Sequence, residues 1–214
     1  STPHGGGGPG AGPVVLSEAL APFAPAPWVV HDDGGYRLVE REEDEAEQAF
    51  GRLCAFQGQM GMYTRALSYM MSHGADGLRQ VAEDAVLNAN YIKARLSDLM
   101  SPAFPDGPCM HEALFDDEWL KGTDITTLDF AKAMIDEGFH PMTMYFPLVV
   151  HGAMLIEPTE TESKAELDRF IEAMRALAGA AKAGDVDRFK GAPFHAPLRR
   201  LDETRAARQP VLRW

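Results

Sequence analysis

Residues 126–166 read TTLDFAKAMIDEGFHPMTMYFPLVVHGAMLIEPTETESKAE, and the order of helix signals and short apolar runs in this stretch decides the fold class. Thr126-Thr127-Leu128-Asp129 has the form of a capping box. A threonine hydroxyl and a carboxylate three residues on can each satisfy a free N–H at a helix start. The helix is expected to run to Gly138, because glycine closes helices in the left-handed conformation without a Cβ penalty. Tyr145 to Val150 and Met154 to Ile156 read as two strands joined by a turn at His151-Gly152. Ser163-Lys164-Ala165-Glu166 is a second capping box. It opens a helix with Leu167, Phe170, Ile171, Met174 and Leu177 inward, ending near Gly184. With Cys109 to Phe115 as an earlier strand, the reading is a compact α+β unit.

Outward from this unit, Ser101-Pro102 and Pro105-Asp106-Gly107-Pro108 mark a boundary. Before it, Leu78, Val81, Ala85, Ile92, Leu96 and Leu99 recur at helical spacing, and His73-Gly74 separates them from an earlier helical run. That run begins at Glu42 and carries Phe50, Leu53, Phe56, Met60, Tyr63, Leu67 and Met70. Gly51, Gly58 and Gly61 interrupt it, each costing about 1 kcal/mol of helix propensity against Ala, so close packing is expected to compensate. Asp32-Asp33-Gly34-Gly35 is a turn signal that makes Val29 to Val39 a hairpin. Val14-Val15-Leu16 reads as a short buried strand. Residues 1–13 read as an active-site or turn loop whose preceding strand is missing. Residues 191–214 are rich in Pro and Arg and read as irregular.

The chain of 214 residues can bury a sizeable core without disulfides or metals. Its net charge of −12 excludes a phosphate-tracking nucleic-acid binder, which needs clustered positive charge. Cys54 and Cys109 lie in no CxxC pair and near no histidine at ligand spacing, so part-buried thiols and no metal site are expected. No apolar run approaches the length of about 18 residues that spans a bilayer. No signal peptide is visible, and a cytoplasmic location without membrane contact is expected.

Three segments carry chemistry. His4-Gly5-Gly6-Gly7-Gly8-Pro9-Gly10 could let a backbone approach a ligand and form an anion-binding concavity, or serve as a linker. Gly138 to Pro147 places His140, Thr143 and Tyr145 where a helix ends and a strand begins. These could line a pocket or satisfy local backbone. Glu157-Pro158-Thr159-Glu160-Thr161-Glu162-Ser163 suits an acidic first helical turn, and a functional role stays open beside that reading. His111-Glu112 resembles the start of a zinc-binding HExxH, but residue 115 is Phe, so that reading fails.

Taken together and in order, these segments resemble the glycine decarboxylases, the P-proteins of the glycine cleavage system. Thr2 to Gly10 looks like the loop after the lysine that carries pyridoxal phosphate in that family. Ala85-Val86-Leu87-Asn88-Ala89-Asn90-Tyr91 and Cys109-Met110-His111-Glu112 resemble family signatures, as do Asp129 to Lys132 with Gly138 to Thr143, and Ile156 to Lys164. Arg199 to Asp202 and Pro210 to Trp214 resemble the end of the bacterial subunit 2. The resemblance implies the C-terminal portion of an aspartate-aminotransferase-like, fold type I enzyme, both α/β and α+β. Residues 1–40 would end the large domain, 41–107 would be connecting helices, 108–190 the small domain and 191–214 an Arg-rich tail.

The implied reaction releases carbon dioxide from glycine and passes the aminomethyl group to the lipoyl group of a carrier protein. Thr2, His4 and Gly5, Gly6, Gly7 and Gly8 would lie against the cofactor, with His4, His140 and Thr143 as catalytic candidates. Glu157 and Thr159 would support them from behind. The implied partners are the N-terminal half of the same protein, the other P-protein subunit and the lipoyl carrier. None of Lys93, Lys121, Lys132, Lys164, Lys182 and Lys190 matches the Schiff-base position, so the chain is expected to be an inactive fragment without bound cofactor. A non-catalytic binding or assembly module derived from the same fold is the alternative. The tail arginines, Arg199, Arg200, Arg205, Arg208 and Arg213, suit contacts within the parent subunit or with its partner, or docking of the carrier.

Overall fold

The computed structural model describes Gly12 and residues 14–40, 48–49, 51–53 and 58–213. It divides into two compact units, 1–76 and 77–214.

The first unit contains the expected hairpin, β1 (Trp28–Asp32) against β2 (Gly35–Val39), antiparallel with Trp28 opposite Val39. Asp32 shapes its turn, with one carboxylate oxygen accepting from the Gly34 N–H at 2.9 Å and the other from Arg37 Nε at 2.9 Å. Such Asx hydrogen bonds mimic a backbone turn, and Gly35 supplies the positive φ of 99°. Val14-Val15-Leu16 does not form the expected strand: Val14 and Val15 are almost fully exposed and no strand pairs with them. Of the helix expected from Glu42, residues 42–47 lie outside the described residues, 51–53 are not helical, and α1 spans Met60–Leu96. Arg52 bridges to Ala26, with the Ala26 N–H on Gly51 O at 3.0 Å and Gly51 at φ 108°, while Phe50, Phe56 and Cys54 lie outside the described residues. Gly74 breaks α1 at φ 64°, ψ −176°, as His73-Gly74 implied.

The second unit is α+β. Its sheet has the order β3 (Ala113–Phe115), β5 (Met154–Ile156), β4 (Thr143–Met144), all antiparallel neighbours. On its inner face Phe115 and Met154 pack with Phe130 and Met134 of α2 (Thr127–Asp136) and with Ile171, Met174 and Leu177 of α3 (Lys164–Lys182). Ile92, Leu96 and Met100 complete the core from the C-terminal part of α1 and the turn after it. Phe130 stacks on Phe189 of α4 (Val186–Lys190) at 6.0 Å and meets Trp119 edge-on at 5.2 Å. The carbonyls at the end of α1 are met by cations from α3: Arg175 donates to Arg95 O at 2.7 Å, and Lys182 to Leu99 O at 2.6 Å. Cationic donors there also suit the helix dipole.

Three expectations differ. Residues 145–150 form no strand; β4 lies just before them, and the apolar run is a loop closed by the Val150 N–H on Pro147 O at 3.0 Å. Of Cys109–Phe115 only the last three residues pair. The tail is not wholly irregular, because Asp202 caps a short helix α5 (Glu203–Arg208). Among the described residues no helix is long and apolar enough to cross a membrane.

The capping box at Thr126 forms fully: Asp129 N–H donates to the Thr126 hydroxyl and Thr126 N–H to the Asp129 carboxylate. At Ser163 only half forms, since Glu166 turns its carboxylate to Arg169. Asp129 is buried and holds more than its helix. Lys190 donates to it at 2.9 Å and Arg200 at 2.7 Å, while Arg200 also donates to the carbonyls of Ala192 and Phe189. Burial opposes its ionisation, but the Thr126 N–H, Lys190, the Thr126 hydroxyl and Arg200 outweigh it and bring its pKa down to about 2. A carboxyl lowered this way stabilises the fold above its unfolded pKa, and the contribution is lost as pH falls through the folded value. Between about pH 4 and pH 2 we expect roughly 2 kcal/mol of stability to disappear through this residue. Denaturant titrations of Asp129→Asn across that range should show lower stability at neutral pH and a flatter slope. An unchanged slope would contradict this role.

Candidate functional site

The left-handed Gly138, at φ 84°, ends α2, with the Gly138 N–H on Ile135 O and the Phe139 N–H on Met134 O. This closure sends the chain off the helix and leaves His140 exposed on a rim. Pro141 and buried Met142 then lead into β4, where Thr143 pairs with Leu155 of β5. Past Ile156, β5 delivers Glu157 to the same place. His140, Thr143 and Glu157 therefore border one cleft of about 400 Å³, together with Glu162, Glu166, Phe170 and Ile92. Phe139 backs it, edge-on to Phe170 at 5.5 Å with the Arg169 guanidinium over its ring. Thr2, His4 and Gly5 to Gly8 lie outside the described residues.

The cleft walls are held by α1 through residues whose task the sequence reading missed. Asn88 Nδ2 donates to Thr159 O at 2.8 Å and to Glu162 O at 3.4 Å. Asn90 grips Cys109 at both backbone groups, donating to its carbonyl at 2.7 Å and accepting its N–H at 2.9 Å. Lys164 donates to Asp168 at 2.6 Å and Tyr91 donates its hydroxyl to the same carboxylate, and these bonds, Lys164 first, hold the Asp168 carboxyl below its usual range. Two asparagines two apart in a helix interior were the available signal. Asn is a poor interior residue because its amide competes for backbone, so a pair of them implies partners beyond the helix. Thr159 sits at φ 30°, rare for a β-branched residue, and its carbonyl is the one Asn88 holds.

The β3–β5 register gathers a further group. One step past the Ala113–Ile156 pair, Glu112 and Glu157 face each other across the ladder. His111 Nε2 lies 3.9 Å from an oxygen of each, and all three ligand-type atoms fall within 4.8 Å. The HExxH spacing could not reveal this group, because its third member comes from another strand. No Lys or Arg lines the cleft among the described residues, whereas three glutamates do. A phosphate dianion would find no cationic partner in this cleft and a carbonyl cofactor no lysine, so the lining of the cleft does not by itself fit pyridoxal phosphate.

The fold resembles the C-terminal portion of a fold type I enzyme. A crystal structure of glycine decarboxylase (P-protein) of the glycine cleavage system, in inhibitor-bound form, superimposes with a TM-score of 0.59 at 20% identity, over 75% of this chain and 37% of that one. The family model described as "Glycine dehydrogenase, C-terminal domain" matches residues 81–197, and the chain belongs to that family. It is 82% identical, over its whole length, to the probable glycine dehydrogenase (decarboxylating) subunit 2 of Caulobacter vibrioides, and covers 41% of that protein. The corresponding proteins of Kosmotoga olearia and Methylococcus capsulatus are 47% and 48% identical, with 43% and 44% of their lengths covered. The chain thus spans less than half the length of these relatives.

Replacing Asn90 by Ala removes both grips on Cys109 and leaves half-buried backbone groups unpaired. A loss of about 2 kcal/mol is expected in urea denaturation. Asn88→Ala should cost less and chiefly raise hydrogen exchange at Thr159 to Glu162. Equal losses, or none, would contradict the clamp.

Proposed function

We propose that this chain is the C-terminal part of a pyridoxal-phosphate-dependent glycine decarboxylase. The complete enzyme releases carbon dioxide from glycine and passes the aminomethyl group to the lipoyl group of a carrier protein. The supporting observation is the convergence of His140, Thr143 and Glu157, from separate family-like motifs, on one cleft. When bound, pyridoxal phosphate supplies the electron sink for decarboxylation, while the protein supplies orientation and electrostatics. The cofactor and its lysine belong to the part of the enzyme outside the described residues. What this chain contributes is a wall on the substrate side. His140 and Thr143 offer an imidazole and a hydroxyl from a rim held by the Gly138 closure, and Glu157 stands behind them. The Arg-rich tail suits contacts with the partner subunit or the carrier, except Arg200, which is committed to Asp129.

In the full-length subunit with its partner, His140→Ala should lower glycine-dependent carbon dioxide release by about 100-fold. Its thermal midpoint should barely move, since His140 is exposed. Unchanged turnover would remove His140 from the reaction. The 214-residue chain alone, given pyridoxal phosphate, glycine and carrier, should release none.

A further inference from the structure

His111, Glu112 and Glu157 bring three ligand-type atoms together where the β3–β5 ladder opens. Nothing else engages them. Among the described residues none of the three side chains makes a hydrogen bond, and the approaches of His111 Nε2 to the two carboxylates, at 3.9 Å each, are too long to be one.

The backbone imposes the grouping. The Ala113–Ile156 pair sets Glu112 directly opposite Glu157, and like charges directly opposite in an antiparallel pair destabilise the ladder. Both ligand-bearing segments are pinned to α1 from outside the group. Asn90 grips Cys109, two residues before His111, and Asn88 holds Thr159 O, two residues after Glu157. The side chains of His111, Glu112 and Glu157 are 53%, 38% and 55% exposed, so each has room to turn into water. Instead all three ligand atoms lie within 4.8 Å of one another.

We propose that His111 Nε2 and one carboxylate oxygen each of Glu112 and Glu157 form a site for a divalent transition cation such as zinc, with water completing its shell from the open side. An imidazole nitrogen beside two carboxylates suits such an ion better than magnesium or calcium, which take oxygen ligands. Three protein ligands and one open position are the pattern of accessible zinc sites. Ligand atoms on a tetrahedral zinc stand about 3.3 Å apart, so side-chain movement of roughly half an ångström closes the group on the ion. Two carboxylates and a neutral imidazole match the charge of a dication, and its binding removes the cross-strand repulsion. Glu157 also borders the cleft of His140 and Thr143, so the ion fixes one wall of it. The binding itself does not depend on the reaction proposed above.

The test uses the full-length subunit with its partner, and zinc alone as the probe. Equilibrium dialysis against buffered zinc should find an ion that His111→Gln and Glu112→Gln each bind about tenfold or more weakly. Thermal midpoints give a second readout. Zinc should raise that of the unsubstituted protein and not that of Glu112→Gln, while without zinc Glu112→Gln should match or exceed it. Zinc bound equally by both variants lies elsewhere, and no uptake leaves the imidazolium of His111 as the cation between the glutamates. Either result, or magnesium held as tightly as zinc, overturns the proposal. Metal uptake is read without turnover, so its failure is separate from a failure of the assigned reaction.

Discussion

A sheet whose strands are two and three residues long cannot hold itself together. Ladders this short have few hydrogen bonds, and small sheets gain independent stability only by packing an apolar face on something else. Here that support comes from one side. Phe115, Met154 and Ile156 face a core filled by α2, α3 and the C-terminal part of α1. The position of β4, and with it Thr143, is inherited from helix packing more than from its two residues of pairing with β5. The geometry of the cleft is therefore a property of the helical layer.

The polar contacts follow the same logic. Segment ends that packing does not fix are pinned by side chains: Asn88 and Asn90 of α1 hold the segments after β5 and before β3, Tyr145 of the loop after β4 holds the start of α2, and Arg175 and Lys182 of α3 hold the end of α1. Each ties together residues far apart in sequence, and each satisfies backbone groups that would otherwise lie half-buried and unpaired. Gly152 shows how tight this joinery is: a Cβ there would fall about 2 Å from the Asp117 side chain, in a backbone at φ 56°.

What was legible in the sequence was local. The hairpin over Val29–Val39, the Thr126 capping box, the Gly138 stop and the apolar face of α3 each depend on residues within a few positions of one another, and each formed. The Val14–Leu16 strand and the strand over 145–150 failed for a shared reason. Both are runs of apolar residues, the first also read as buried, and apolarity specifies burial only when a covering surface is present. In the site, the rim residues His140 and Thr143 were marked by their place between helix and strand. Asn88, Asn90 and the approach of Glu157 to His111 arise from contacts across 19 to 74 positions, for which a local pattern holds no sign.

The hold of Arg200 on Asp129 bridges 71 positions, and this has a consequence for synthesis. A ribosome builds α2 long before it builds residue 200. Until then the carboxylate at the head of α2 has its own cap, and later Lys190, but not the guanidinium that also ties down the carbonyls of Ala192 and Phe189. The nascent unit must either keep that carboxylate in water or wait, so its final closure is timed by translation of the tail. A stop codon a few codons before residue 200 would remove only α5 and none of the strands or of the helices packed on the sheet, yet would leave a polypeptide for the cell's proteases to find.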